Sequence, residues 1–243
     1  MSVNPHEGLL QEGTLFWEAE CSSTMELARL GEARGDPTCS IYGTDNQTHG
    51  RGRFTDRVWL TPPRTSLTFT LLLRHTQIRS FPLSLGLGLG LALWLESCGL
   101  NPAIKWPNDV LINGRKVSGI LIESTPRYSL AGIGINISQT DFPDHLSEKA
   151  TSLSLEGITK ESTPRDYLPK VLYFLQTAID LDQPRMEIQK RLYRMGESVS
   201  VIEGTNMEPI SGIVLGLGEG GGLILETAEG MKTVHSAEIK IGS

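Results

Sequence analysis

Residues 103–137 constrain the fold most, because they leave this part of the chain little choice but a sheet. The runs 103–105, 110–112, 117–124 and 129–137 read as consecutive short strands, rich in Val, Ile and Leu. Asn113-Gly114 stands between two of them. Both residues tolerate positive φ, which a two-residue hairpin turn requires. Upstream, 66–74 (SLTFTLLLR) is a further strand by its β-branched and aromatic content.

Around this sheet the pattern alternates between strand and helix. Residues 14–18 and 40–44 read as strands, and so do Trp59-Leu60. A helix starts within Ser22-Ser23-Thr24-Met25-Glu26-Leu27-Ala28-Arg29. Its Ser/Thr capping candidates precede apolar positions at helical spacing, Glu26 suits the first turn, and Gly35-Asp36-Pro37 stops it. Residues 82–98 carry two signals. The alternation of LSLGLGLGL has a period of two, but the length, with Pro82 at the start and Gly99 past the end, favours a helix. Glycine at every second position suits a helix lying very close to a sheet. Residues 165–181 and 184–195 have helical spacing. From Gly196 the composition shifts to Val, Ile and Gly, and 198–203, 209–217, 222–227, 230–235 and 238–241 read as strands. The expected organisation is α+β, with a main unit at 1–194 and a small all-β module at 195–243, the size of an SH3-like barrel.

Composition excludes several classes. The 243 residues suffice for one large domain, or a main domain with a small appendage, and 39% hydrophobic with 21% charged residues is ordinary for a globular chain. With 22 basic and 28 acidic residues the net charge is −6, which suits neither general DNA binding nor anionic membranes. A local basic cluster can still hold a small anion. Cys21, Cys39 and Cys98 are odd in number, far apart and without a CxxC pair, so zinc-ribbon and thioredoxin-like readings fail. They read as reduced thiols of a cytoplasmic protein. Residues 1–10 lack the basic start of a signal peptide, and the apolar run 83–95 is too short to span a bilayer, so no membrane role is expected.

Three constellations could carry chemistry. The first is Gln47-Thr48-His49-Gly50-Arg51-Gly52-Arg53, followed by Arg57. Alternate glycines let the backbone approach a ligand, and each arginine offers a planar fork to carboxylate or phosphate. Taken alone, GRGR reads first as a flexible basic surface loop or an RNA contact. The second is Lys105-Trp106-Pro107-Asn108-Asp109, with Asn113 to Glu123 behind it. Lys116 starts a strand that becomes apolar, so it either snorkels, the commoner case, or aims at an anion. Asp109 is a turn former or a base, the turn being the better default. The third is Gly132-Ile133-Gly134-Ile135-Asn136, a strand with two glycines on one face, which marks a bulge or a place where a ligand lies flat.

In this order, together with Ser23-Thr24, Trp59 and Pro62, Thr151-Ser152-Leu153 and the β-rich tail, these pieces make the chain resemble the biotin protein ligases over nearly its whole length. The resemblance implies a mixed-sheet catalytic domain with a C-terminal SH3-like β-barrel. It implies activation of biotin with ATP and Mg2+ to biotinyl-5′-AMP, then transfer to a lysine of a biotin carboxyl carrier protein. It assigns Lys116, Arg51 and Arg53 to the reacting carboxylate and phosphate, and Asp109 to the proton of the attacking lysine. Ser23, Thr24, Gln47, Gly50, Gly52, Gly119, Gly132 and Gly134 fall on biotin-binding positions. Arg57, Trp59, Lys105, Asn108, Asn136 and Phe142 fall on the ATP side. Met25 stands where the family commonly has asparagine. No residue is assigned as a metal ligand, because magnesium would bridge the triphosphate.

The same fold class includes lipoate ligases and octanoyltransferases, but a thioester transferase needs a positioned cysteine, and none of the three cysteines stands in such a setting. A nucleic-acid binder would need basic residues on the tail, which is acidic instead. With only about 22 residues ahead of Ser23-Thr24, the expected type is the monofunctional enzyme without an N-terminal DNA-binding domain. An exposed sheet edge could pair with the carrier or with a second copy in a homodimer.

Overall fold

The computed structural model describes residues 13–54, 58–59, 61–75, 81–158, 163–203 and 208–240. Seven strands make a mixed sheet: β1 (Leu15–Glu18), β2 (Ile41–Thr44), β3 (Ser66–Arg74), β4 (Pro102–Lys105), β5 (Asp109–Ile112), β6 (Arg115–Ser124) and β7 (Tyr128–Asn136). Their order is β1-β2-β3-β7-β6-β5-β4. Only β1–β2 is parallel, and helix α1 (Thr24–Arg34) makes the crossover that a parallel pair requires. Gly35 ends α1 at φ 81 in the left-handed region, as its position after the last apolar turn predicts. The β5–β6 hairpin turns on Asn113 at φ 51 and Gly114 at φ 76. Both expected positive angles are present.

Helix α2 (Leu83–Ser97) explains the two signals in its sequence. Leu85, Leu87, Leu89, Leu91, Trp94 and Leu95 are all buried, because the helix is covered on two sides by different cores. One side joins the core of the sheet and of helix α4 (Leu168–Ile179), through Leu87, Leu91 and Leu95. The other side, through Leu85 and Leu89, joins the core of the C-terminal sheet. The alternating glycines do not serve an approach to the large sheet. A Cβ on Gly88 would meet Ile104 and Ile120 only at ordinary contact distance, 3.8 Å, and one on Gly86 would meet nothing. On Gly90 it would lie 2.7 Å from Leu175 Cα and 2.8 Å from the Phe174 carbonyl oxygen, so the close approach is to α4.

The tail folds as five antiparallel strands: β8 (Ser198–Glu203), β9 (Ile210–Leu217), β10 (Leu223–Thr227), β11 (Gly230–Val234) and β12 (Ala237–Lys240). Their order, β11-β10-β9-β8-β12, is a four-strand meander with the last strand returning beside the first. Val201, Val214, Leu217, Leu225 and Ile239 share a core with Leu85 and Leu89 of α2 and with Trp106. Each such side chain contributes about 1.5–3 kcal/mol on full burial, so the tail is fastened to the main sheet by its own core.

Three expectations need correction. Trp59 belongs to no strand; its neighbour Val58 makes only an isolated bridge to Arg51, and Leu60 lies outside the described residues. The helix expected at 184–195 stops early, as α5 (Pro184–Gln189). Beyond it the backbone is used as an edge partner: Ile104 N–H donates to the Arg191 carbonyl and Tyr193 N–H to the Ile104 carbonyl, which covers β4. The helix expected from 165 opens with a 3-10 turn, Pro164–Tyr167. A one-turn helix, α3 (Asp144–Ser147), carries no sequence signal of its own. No helix among the described residues is long and apolar enough to cross a membrane.

Candidate active site

The face of the large sheet turned toward α1 carries Ser66, Thr68 and Thr70 on β3, Gly132, Gly134 and Asn136 on β7, and Gly119 and Leu121 on β6, by strand alternation. Register aligns them in rows. One row runs Thr70, Gly132, Leu121. The next runs Thr68, Gly134, Gly119, Asp109. That second row spans three inter-strand spacings, about 14 Å, and is bare of side chains over its two central strands. A pocket lies on these rows.

One end of the row is polar and built from α1. The Thr24 N–H and hydroxyl both donate to Gln47 Oε1, at 2.9 and 3.3 Å, and the Thr70 hydroxyl donates to Thr24 Oγ1 at 2.9 Å. Ser23 is buried at the N-cap of α1 but makes no side-chain capping bond, which leaves its hydroxyl for the pocket. Gly50 admits the Gln47 amide, because a Cβ there would lie 2.6 Å from Nε2.

The other end is charged. Lys116 Nζ lies 2.7 Å from Asp109 Oδ1 and 5.6 Å from the centre of the Trp59 ring. The ion pair is not aligned as a hydrogen bond, and Asp109 Oδ1 is a buried atom without a hydrogen-bond partner among the described residues. Glycines make the room here. A Cβ on Gly119 would stand 2.9 Å from Lys116 Nζ, and one on Gly134 would stand 2.4 Å from Trp59 Cε2. The group lying flat on the sheet is therefore the Trp59 indole. Its Nε1 is buried without a partner among the described residues. On the neighbouring row Gly132 makes room for Met25, whose Sδ would be 2.8 Å from an added Cβ. Met25 is thus an apolar wall of the pocket.

Arg51, Gly52 and Arg53 form the rim. Arg51 is half exposed, 4.0 Å from the Glu26 carboxylate. Arg53 donates to the Ala237 carbonyl at 2.9 Å and to Ser236 Oγ at 2.7 Å, which ties the rim to β12. The turn containing the cis Trp106–Pro107 bond is pinned on both sides. Asn108 Nδ2 donates to the Ile120 carbonyl at 2.8 Å, and Trp106 Nε1 donates to the Gly221 carbonyl at 3.0 Å.

The pocket gathers Ser23, Thr24, Gln47, Arg51, Gly52, Arg53, Trp59, Asn108, Lys116, Gly119, Gly132 and Gly134, with Asp109 paired to Lys116 at its end. Gly50 supports Gln47 from behind. Asn136 is buried on the next row and donates to the Thr151 carbonyl at 2.9 Å. Lys105, the cross-strand neighbour of Asp109, is buried and does not line the pocket, nor does the half-buried Phe142. Arg57 lies outside the described residues. The walls also include Met25, Thr68, Ile120 and Leu121, which the motifs did not single out as contacts. Thr68 was within reach, since alternation along SLTFT places 66, 68 and 70 together. The bonds from Arg53 to Ser236 and Ala237 cross 183 residues of sequence and left no local signal.

A bare apolar row with hydrogen-bonding groups at one end and cations at the other suits an enzyme that handles a slender organic acid. Comparison with known proteins gives the family. Residues 36–139 match the model of the biotin/lipoate A/B protein ligase family, and 195–242 match the biotin protein ligase C-terminal domain. The bifunctional ligase/repressor BirA of Bacillus subtilis is 34% identical, over 94% of this chain and 74% of its own. The biotin--[acetyl-CoA-carboxylase] ligase of Paracoccus denitrificans is 33% identical, over 81% and 88%. The biotin protein ligase of Aquifex aeolicus in complex with biotin and ATP superposes with a TM-score of 0.80 at 31% identity, covering 93% of this chain and 97% of that one. The chain belongs to the biotin protein ligase family.

Proposed function

We propose that the protein joins biotin to ATP, giving biotinyl-5′-adenylate and pyrophosphate, and then transfers the biotinyl group to a lysine of a carboxylase carrier domain. The observation that carries this reading is the row from Thr68 to Asp109, where Gly134 and Gly119 raise no side chain and leave room for the Trp59 indole and the Lys116 amine. The ureido ring of biotin has one acceptor oxygen and two N–H donors, which suit Ser23, Thr24 and Gln47. The valeryl chain would follow the glycine floor, with Trp59 beside it, and the carboxylate would meet Lys116.

In the first step a carboxylate oxygen attacks the α-phosphorus and pyrophosphate leaves. Two anions must approach, so fixed cations lower the barrier. Lys116 would neutralise both, with Arg51 and Arg53 closing from the rim. In the second step the carrier amine attacks the anhydride carbonyl, AMP leaves, and a proton must be removed from nitrogen. Asp109 stands beside Lys116 and is the base we assign. Asn108 and Asn136 would flank the nucleotide side; Phe142 and Lys105 do not line the pocket, and Arg57 lies outside the described residues. Among the described residues no group of three His, Cys, Asp or Glu side chains is placed to hold a metal. Magnesium would enter with the triphosphate, whose oxygens would supply ligands beside water.

The relatives above are named as biotin ligases, which favours biotin over lipoate. A cysteine-based acyl transfer finds no support: burial pushes the Cys21 thiol up, away from the thiolate such a nucleophile needs, and the cysteine does not line the pocket. Free thiols at Cys21, Cys39 and Cys98 suit a reducing cytoplasm. We divide the chain at 194/195, a reading supported by the match of 195–242 to the C-terminal domain model.

Lys116→Ala tests the reading. Biotin-dependent exchange of pyrophosphate into ATP should be abolished while the melting temperature holds. Undiminished exchange in this variant would remove Lys116 from the mechanism.

A further inference from the structure

We propose that the Ser66 hydroxyl is a direct contact for the nucleotide, meeting a ribose or phosphate oxygen of ATP and of the adenylate. The inference rests on the biotin–ATP reading and adds a residue that none of the motifs contains. Ser66 is the first residue of β3 and is buried, 5% exposed, yet its Oγ has no hydrogen-bond partner among the described residues. A buried hydroxyl in that state is destabilising, and folded chains rarely retain one without a ligand or water to satisfy it.

Its surroundings say which ligand. Ser66 faces the same side of the sheet as Thr68, two residues on, which lines the pocket, and stands one row beyond that lining. Its cross-strand partner is Asn136. Asn136 Nδ2 donates to the Thr151 carbonyl, and the Thr151 N–H donates to the Lys116 carbonyl at 2.9 Å. Ser66 and Asn136 therefore form a row joined by two hydrogen bonds to the lysine at the reacting end. That row lies on the opposite side of the glycine floor from Gly132 and Met25. Biotin would fill the glycine row, so what reaches the Ser66 row is the group joined to its carboxyl, the nucleotide. A second unpartnered buried atom borders the same path, Trp59 Nε1 above Gly134. A hydroxyl both donates and accepts, so it can serve an ATP oxygen before the reaction and an AMP oxygen after it.

The test is Ser66→Ala, read by biotin-dependent ATP–pyrophosphate exchange with each substrate varied in turn and by thermal melting. The KM for ATP should rise about three- to tenfold, the loss of one ligand hydrogen bond, while the KM for biotin stays within about twofold. The melting temperature should hold or rise, because the removed hydroxyl had no partner in the fold. An unchanged KM for ATP would overturn the assignment. So would equal rises in both KM values with a lower melting temperature, which would make Ser66 structural. If the wild-type protein shows no biotin-dependent exchange, the functional reading falls and this inference with it. Exchange in the wild type with no ATP effect in the variant sinks the inference alone.

Discussion

Adding one methyl group to Gly134 tests the floor of the pocket directly. The new Cβ would lie 2.4 Å from Trp59 Cε2, 2.6 Å from Cζ2 and 2.8 Å from Nε1. Non-bonded carbons rest about 3.5–4.0 Å apart, so something must move by about 1 Å. Strand β7 cannot yield, because it is paired along its length to β3 and to β6. Trp59 sits outside the strands and can be pushed off, at little cost to the fold. Gly→Ala at an ordinary strand angle even lowers the entropy of the unfolded chain, by about 0.4–1 kcal/mol. A ligand has no such freedom, being held at both ends by Gln47 and Lys116. Overpacking of about 1–3 kcal/mol then falls on binding, a roughly 5- to 150-fold rise in the KM for biotin. The assay is biotin-dependent ATP–pyrophosphate exchange at varied biotin, with melting curves in parallel. Gly86→Ala is the control, since nothing lies within 4 Å of its added Cβ. If Gly134→Ala melts normally and its KM for biotin is unchanged, the ligand does not cross the sheet at this point.

Two predictions concern the fold. Gly90→Ala should lower the melting temperature although alanine is the better helix former, because the backbone at Leu175 and Phe174 cannot yield as a side-chain tip would. The helix gain of about 1 kcal/mol is opposed by about 1–3 kcal/mol of overpacking. Unaltered melting would mean that α2 and α4 separate freely. The second concerns Asp36, whose carboxyl is held below the usual range by the Arg34 guanidinium, with the Tyr42 hydroxyl 2.7 Å away as a second donor. A lowered folded pKa adds stability above the unfolded value and loses it as pH falls through the folded one. The wild type should therefore exceed Asp36→Asn in denaturant resistance at neutral pH, and the gap should close below the ordinary value of 3.8. A gap independent of pH would assign the effect to shape rather than charge.

Local chemistry made much of this molecule legible. The Asn113-Gly114 turn, the glycine stop after α1 and the strand at Ser66–Arg74 each depend on a few adjacent residues, and each appears where expected. Ser23, Gln47, Arg51 and Lys116 lie together in one pocket, a grouping that the family resemblance implied and that no motif alone announced. What stayed hidden depends on distant partners. The glycines of α2 announced a close approach but not to what, since Leu175 lies 85 residues beyond Gly90. The segment after Gln189 has helical spacing, yet it breaks into turns pinned to Ile104, a tertiary contact that outweighs propensity. Trp59-Leu60 reads as a short strand, but the Trp59 indole is taken by a floor on which two glycines make room.

Those distant contacts also decide how the C-terminal sheet enters the chemistry. Two of the five N–H donors of Arg53 go to the Ala237 carbonyl and Ser236 Oγ, so the start of β12 anchors the guanidinium beside the pocket. On the proposed mechanism its other donors would turn to the anion, because a charged acceptor makes a bond roughly twice as strong as a carbonyl or hydroxyl. The same sheet fixes Trp106 through the Gly221 carbonyl, and Trp106 precedes the Pro107-Asn108 turn that leads into Asp109 and the reacting end. The tail therefore bears on both sides of the pocket, on the rim through Arg53 and on the Asp109–Lys116 pair through the turn. A sheet holding only itself together would need neither contact.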